Sequence, residues 1–169
     1  HQELPGPAGD ARLVELRRAP GDGGDQGELV AVAHRRVEDA GAAEVLSPDN
    51  AEGHWDVIEG QGSLFHPAYA AVTLGLLHGS QPDAIVLCHA PERLTIEEYP
   101  DYPIPSLREV IDVYLQAGRL TNRGVRCVGI SINSSTLDEA GWHAYRTRLE
   151  SELGLPVCDP MRGGVDRLA

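Results

Sequence analysis

The chain has 169 residues, enough for one domain with its own core, and 41% of them are hydrophobic. Its 26 acidic against 14 basic side chains give a formal net charge of −12, which argues against nucleic acid or an anionic membrane as the main partner. No apolar run approaches the ~18 residues of a membrane span and no signal peptide is visible, so no membrane association and a cytoplasmic location are expected. All basic residues are arginine, the first residue is His1 and the single methionine is Met161. A fragment, a processed product or the far part of a longer protein is therefore expected. Without lysine, no Walker A phosphate loop can be completed here.

Residues 1 to 35 are rich in Gly, Pro and Asp, as in Pro20-Gly21-Asp22-Gly23-Gly24-Asp25, and read as an atypical or truncated amino end. Within them Ala11 to Leu16 suits a strand or a helical turn, and Leu29 to Ala33 suits a strand. Residues 36 to 169 read as a single α/β domain. Val37 to Leu46 has helix-forming composition and closes at Ser47-Pro48-Asp49-Asn50. Strands are expected at 55–59, 84–89, 125–132 and 155–158. Helices are expected at 68–78, from Ser106 to about Arg119, and from a cap at Ser135 or Thr136 to Leu153, with Gly154 ending the last. Ala84 to His89 is continuously apolar, as in a strand covered on both faces. Alternating strands and helices imply parallel pairing with right-handed crossovers. The fold class is α/β, a doubly wound, mainly parallel sheet flanked by helices in three layers. Cys88, Cys127 and Cys158 lie in separate apolar runs and read as free thiols.

In such sheets ligands gather at the carboxyl ends of the strands. The most informative stretch is Trp55-Asp56-Val57-Ile58-Glu59-Gly60-Gln61-Gly62-Ser63. Glu59 ends the strand and can hold a hard cation such as Mg²⁺, with waters and phosphate oxygens completing the shell. Gly60 and Gly62 let backbone N–H groups approach an anion closely. Three more groups share that edge: His89 to Arg93, Asn133 to Ser135, and Asp159 to Gly164. Asn133 suits either the edge of a purine or amide, or an Asx-turn opening the next helix. His89 and His66 each suit a general base or a structural histidine. Arg162 suits a fork on a carboxylate or phosphate. The proline-rich stretch from Glu97 to Pro105 reads as a lid, a subunit contact or a rigid surface loop.

The stretches HWDVIEGQGSLFHPAYAAVTLGLLHGSQPDAIVLCH, YPIPSL, GVRCVGISINSS and ELGLPVCDPMRGGVDRL together resemble the carboxyl-terminal domain of the D-glutamate N-acetyltransferase-like family. The resemblance covers about residues 42 to 169. That domain is similar to P-loop proteins of the dethiobiotin synthetase type. There a strand-end Glu-Gly-x-Gly turn faces Mg²⁺ and phosphate, and a later strand-end Asn faces the base. The resemblance implies these roles for Glu59, Gly60, Gln61 and Gly62, and for Asn133. It implies a P-loop NTPase-like fold and N-acetyl transfer from acetyl-CoA to an acidic D-amino acid. Glu59, His66 or His89 would be the base, and Gly60, Gln61, Gly62, Ser63, Asn133 and Arg162 would hold the cofactor. A ligase or kinase-like enzyme using Mg-ATP, and a non-catalytic chain that folds in a homo-oligomer, are the alternatives. The amino end does not resemble the family, which carries a Gly-Lys phosphate loop there, so weak binding of nucleotide or coenzyme A is expected.

Overall fold

The computed structural model describes residues 13–18, 39–48, 50–51, 53–60 and 62–168. The expected strand from Leu29 to Ala33 and the site candidate Gln61 lie outside them.

The elements in order are β1 (Leu13–Arg18), α1 (Asp39–Leu46), β2 (Trp55–Glu59), α2 (Ala70–Ser80), β3 (Ala84–His89), β4 (Thr95–Ile96), β5 (Tyr99–Pro103), α3 (Leu107–Gly118), β6 (Arg126–Ile132), α4 (Glu139–Leu153), β7 (Val157–Cys158) and α5 (Pro160–Gly163). A 3₁₀ turn at Asp166–Leu168 closes the described chain. The main sheet runs β2-β1-β3-β6-β7. β3 pairs parallel with β6, and β6 with β7. β1 lies between β2 and β3 and is antiparallel to both, with Leu16 opposite Val57 on one side and Ala84 on the other. β2 and β3 therefore point the same way without touching.

The four strands expected to be parallel do share one direction. The mixed character comes from β1 alone. By composition that segment suits either a strand or a helical turn, and nothing in a short apolar run specifies its direction. β2 is an edge strand in which Trp55 and Val57 are exposed, so its apolar composition does not mean burial. In β3, by contrast, Ala84, Ile85, Val86 and Leu87 are all buried in succession. Successive side chains point to opposite faces, so both faces of the sheet are covered there.

The core joins Leu77 of α2, Val110 and Tyr114 of α3, Ile85 and Leu87 of β3, Ile130 and Ile132 of β6, and Trp142 and Leu149 of α4. Each such aliphatic side chain contributes about 1.5–3 kcal/mol when fully buried. α3 starts as its sequence indicates: Ser106 Oγ accepts the Glu109 N–H at 3.3 Å. α4 starts later than expected. Its cap is not Ser135 or Thr136 but Asp138, whose Oδ1 accepts the Gly141 N–H at 2.7 Å. A carboxylate both caps the helix and faces its positive end, which a hydroxyl cannot do. Gly154 ends α4 at φ +69°, a conformation that costs glycine little.

The stretch from Glu97 to Pro105 is not a structureless loop. β4 and β5 form a separate two-stranded sheet with Glu98 at φ +64° in its turn. Prolines 100 and 103 are tolerated because this strand is an edge. Cys88, Cys127 and Cys158 are free thiols. Burial pushes the Cys127 and Cys158 thiols up, which keeps them protonated and unreactive. Among the described residues no helix is long and apolar enough to cross a membrane.

Candidate active site

The carboxyl ends of β3, β6 and β7 are tied into one cluster. The Asn133 N–H donates to the His89 carbonyl at 2.9 Å. The next residue, Ser134, is fully buried and donates through both its backbone N–H, at 3.1 Å, and its hydroxyl to Asp159 Oδ2. Asp159 Oδ1 accepts the Met161 N–H at 2.8 Å and so caps α5, with Pro160 following as the first helical residue. Burial pushes the Asp159 carboxyl up. The hydrogen bonds from Ser134 and Met161, with Arg162 nearby, outweigh that and hold it below the usual carboxylate range. Asp159 belongs to a strand-end group expected at this edge, but the sequence assigns it no role of its own. The signal for it was an Asp-Pro pair at a strand end.

Arg162 joins the same cluster from α5. Its guanidinium donates to Glu139 Oε2 at 2.7 Å, to the Ser134 carbonyl at 3.2 Å and to the Leu137 carbonyl. Expected as a fork on a carboxylate or phosphate, it stands here as a clamp between α5 and the β6–α4 connection. Asn133 is exposed, and its Oδ1 accepts the Ser135 N–H at 3.1 Å. The Asx-turn is therefore present. That bond uses one of the oxygen's two acceptor positions and leaves the side-chain NH2 free of any part in the turn.

His89 is half-buried at the end of β3. Desolvation pushes its pKa below 6.5, opposed by Glu92 and assisted by Arg93. The imidazole is consequently neutral at neutral pH, the state a general base needs. Glu92 accepts from Thr136 Oγ1 at 3.1 Å, which ties the loop after β3 to the loop after β6.

The second group of candidates follows β2. Glu59 ends that strand pointing the same way as β3, but it pairs with Val14, which pairs with Val86. Glu59 thus stands level with Val86, three residues short of His89. Gly60 is buried. Gly62 adopts φ +67°, which strains any residue with a Cβ, and a Cβ there would lie a tight 3.1 Å from Tyr69 Cβ, so glycine is strongly favoured. Ser63 is buried, and its hydroxyl accepts the Phe65 N–H at 3.2 Å. The Leu64 N–H donates to the Tyr114 hydroxyl at 3.1 Å and the His66 N–H to the Ser63 carbonyl at 3.0 Å. The N–H groups of Leu64, Phe65 and His66 are thus all engaged within the chain. An anion at this turn would not find those three N–H groups available.

His66 is buried. Its Nδ1 accepts the Ala68 N–H at 3.1 Å. Its ring packs 4.6 Å from Tyr69 and edge-on to Tyr99 of the hairpin at 5.2 Å. The hairpin therefore covers His66, as a lid would. The structure draws His89, Asn133 and Arg162 into one bonded cluster, and Gly62, Ser63 and His66 into another packed on α3 and the hairpin. Among the described residues no three His, Cys, Asp or Glu side chains converge as a metal site. Glu59 would have to hold Mg²⁺ as a single protein carboxylate, with waters and phosphates supplying the rest.

Residues 30–169 match a family described as a domain of unknown function (DUF1611_C), P-loop domain. The chain belongs to this family. A crystal structure of a DUF1611 family protein from Anabaena variabilis has TM-score 0.65 and 37% identity to it, covering 76% of this chain and 38% of that one. That likeness and the parallel β3-β6-β7 pairing establish an α/β P-loop-type domain with a sheet flanked by helices. The chain is also 50% identical over 129 residues to proteins named D-glutamate N-acetyltransferase from Tritonibacter scottomollicae and from a Pseudoalteromonas species. These matches cover 76% of this chain and 39% of each relative, so the chain spans about two-fifths of their length. β1 precedes the matched residues, which begin at 30.

Proposed function

We propose that the chain carries part of the active site of a cytoplasmic N-acetyltransferase acting on D-glutamate or a similar acidic D-amino acid, with acetyl-CoA as donor. The observation that carries this reading is the 50% identity, over 129 residues, to two relatives of that name. In the reaction the amino nitrogen attacks the thioester carbonyl, a C–N bond forms, the C–S bond breaks, and the ammonium proton must leave. His89 suits that proton best. It is half-buried, held neutral, and lies at a strand carboxyl end. His66 suits it less, because Nδ1 already accepts a backbone N–H and the ring is enclosed by Tyr69 and Tyr99. The N–H groups of residues 60 to 63 would stabilise the oxyanion.

The phosphates of coenzyme A or ATP fit this chain only in part. The glycine turn offers N–H groups, but there is no lysine and Arg162 is engaged with Glu139, Ser134 and Leu137. Tight binding would therefore draw on groups outside the described residues. A Mg-ATP-dependent ligase-like reaction is the second reading, favoured by the family's description as a P-loop domain, with Glu59 on the metal and Asn133 on the base. Association into a homo-oligomer is part of the proposal, with the exposed Tyr102 face of the hairpin as the contact.

The test is a mass-spectrometric assay of the complete gene product with acetyl-CoA, and separately Mg-ATP, against a panel of D- and L-amino acids. An N-acetyl product on an acidic D-amino acid, with kcat reduced about 10²- to 10⁴-fold in His89→Gln, is expected. A product formed only with ATP would replace this reading with the second one.

A further inference from the structure

We propose that the sheet face around Trp55 and Val57 of β2 is an interface, covered by an apolar segment from the part of the family's full-length polypeptide that this chain does not span. Trp55 is 53% exposed and Val57 is 68% exposed. They stand two residues apart in one strand, so both side chains leave the sheet on the same face. β2 is the end strand of the sheet, and among the described residues no strand lies beyond it. Two large apolar side chains side by side on an open edge strand are what proteins ordinarily cover.

The strand register shows which face this is. Val57 pairs with Leu16, and Leu16 pairs with Ala84. Directly paired residues share a face, so Val57 and Ala84 lie on one face, while Ile85 and Leu87 lie on the other. Leu87 pairs with Ile130, and Ile130 with Val157. These last residues belong to the core that α2, α3 and α4 pack against. The three helices therefore meet one face of the sheet, and Trp55 and Val57 stand on the opposite one.

Sheets with parallel pairing are ordinarily covered on both faces. In the middle of this one, Ala84 and Val86 are buried on the second face. At β2 that cover stops. Two observations choose what completes it. The relatives of 50% identity are spanned to only 39% of their length, so the larger part of each has no counterpart here and is available to pack on this face. The formal net charge of −12 opposes a second acidic copy laid against the same surface. The inference concerns assembly of the domain and does not depend on acetyl transfer.

The experiment is hydroxyl-radical footprinting mapped by peptide mass, each protein being measured over a concentration series. It compares this chain with the complete relative from Tritonibacter scottomollicae, carrying tryptophan and valine at the positions aligned with Trp55 and Val57. In this chain both side chains should oxidise readily at every concentration. In the complete relative they should oxidise about tenfold more slowly at every concentration, the ratio of half exposure to the ~5% left on a buried side chain. The pair Trp55→Thr and Val57→Thr should leave the urea midpoint of this chain unchanged. The same pair should lower the melting temperature of the complete relative by about 5 °C or more. If that variant does not fold, the footprint decides without it. Equal oxidation in the two proteins, an unchanged melting temperature in the relative, or protection that appears only as concentration rises, which makes a second copy the occupant, would each overturn the proposal.

Discussion

Replacing Asp159 is the sharpest perturbation of the strand-end cluster. The side chain is 4% exposed and accepts from the Ser134 N–H, the Ser134 hydroxyl and the Met161 N–H. Asp159→Ala leaves those donors without their acceptor, and the two from Ser134 are in a buried residue. Hydrogen bonds to a charged group contribute about 1.5–3 kcal/mol each, and they are not additive. A loss of about 3–5 kcal/mol is therefore expected, as when one partner of a buried charged network is removed. Asp159→Asn keeps the shape and one acceptor oxygen but loses the charge, and should cost less, about 1.5–3 kcal/mol. The pH dependence distinguishes the charge from the shape. The folded carboxyl is held below its ordinary value of 3.8, so the folded state binds fewer protons than the unfolded state as pH falls. The charge-dependent stability is fully present above 3.8 and is lost as pH falls through the lower, folded value. Urea unfolding of both variants and the wild type, from neutral pH down into that range, measures this. The gap between wild type and Asp159→Asn should shrink with acid. A gap below about 0.5 kcal/mol at neutral pH, or one that does not change with pH, would refute the reasoning.

Tyr114→Phe removes the acceptor for the Leu64 N–H while keeping the ring in the core, and should cost about 1–2 kcal/mol in the same urea assay. Gly62→Ala should cost at least about 1 kcal/mol, because alanine at φ +67° is strained before its Cβ meets Tyr69. Isothermal titration of this chain alone with acetyl-CoA or Mg-ATP at physiological salt should show only weak binding, since no lysine is available for the phosphates. Low-micromolar affinity for either would contradict that.

The elements whose burial is continuous or strictly periodic were legible in the sequence. β3 reads from Ala84 to His89 because both its faces are covered. α3 reads from its cap and its apolar stripe at residues 107, 110, 111, 114 and 115, and α4 reads at its end from Gly154. Three features were not legible. The direction of β1 depends on which gap in the sheet it enters. The Glu97–Pro105 hairpin hides behind prolines that an edge strand accepts. The cap of α4 was masked by Ser135 and Thr136, which compete with Asp138 for the same role. At the candidate site, position along the carboxyl edge was readable from the strand pattern. Whether a side chain faces a ligand or its own backbone was not, because nearby backbone turns and distant partners compete for the same side chain. Asn133 and Ser63 turned to neighbouring N–H groups, and Arg162 to Glu139 and two carbonyls.

The most direct measurement of the functional claim is a single incubation of the complete gene product with deuterium-labelled acetyl-CoA and D-glutamate, followed by mass spectrometry. N-acetylglutamate carrying the labelled acetyl group is expected, with the L-enantiomer converted far more slowly. Labelled acetyl-CoA recovered intact, with no acetylated amino acid from either enantiomer, would contradict it.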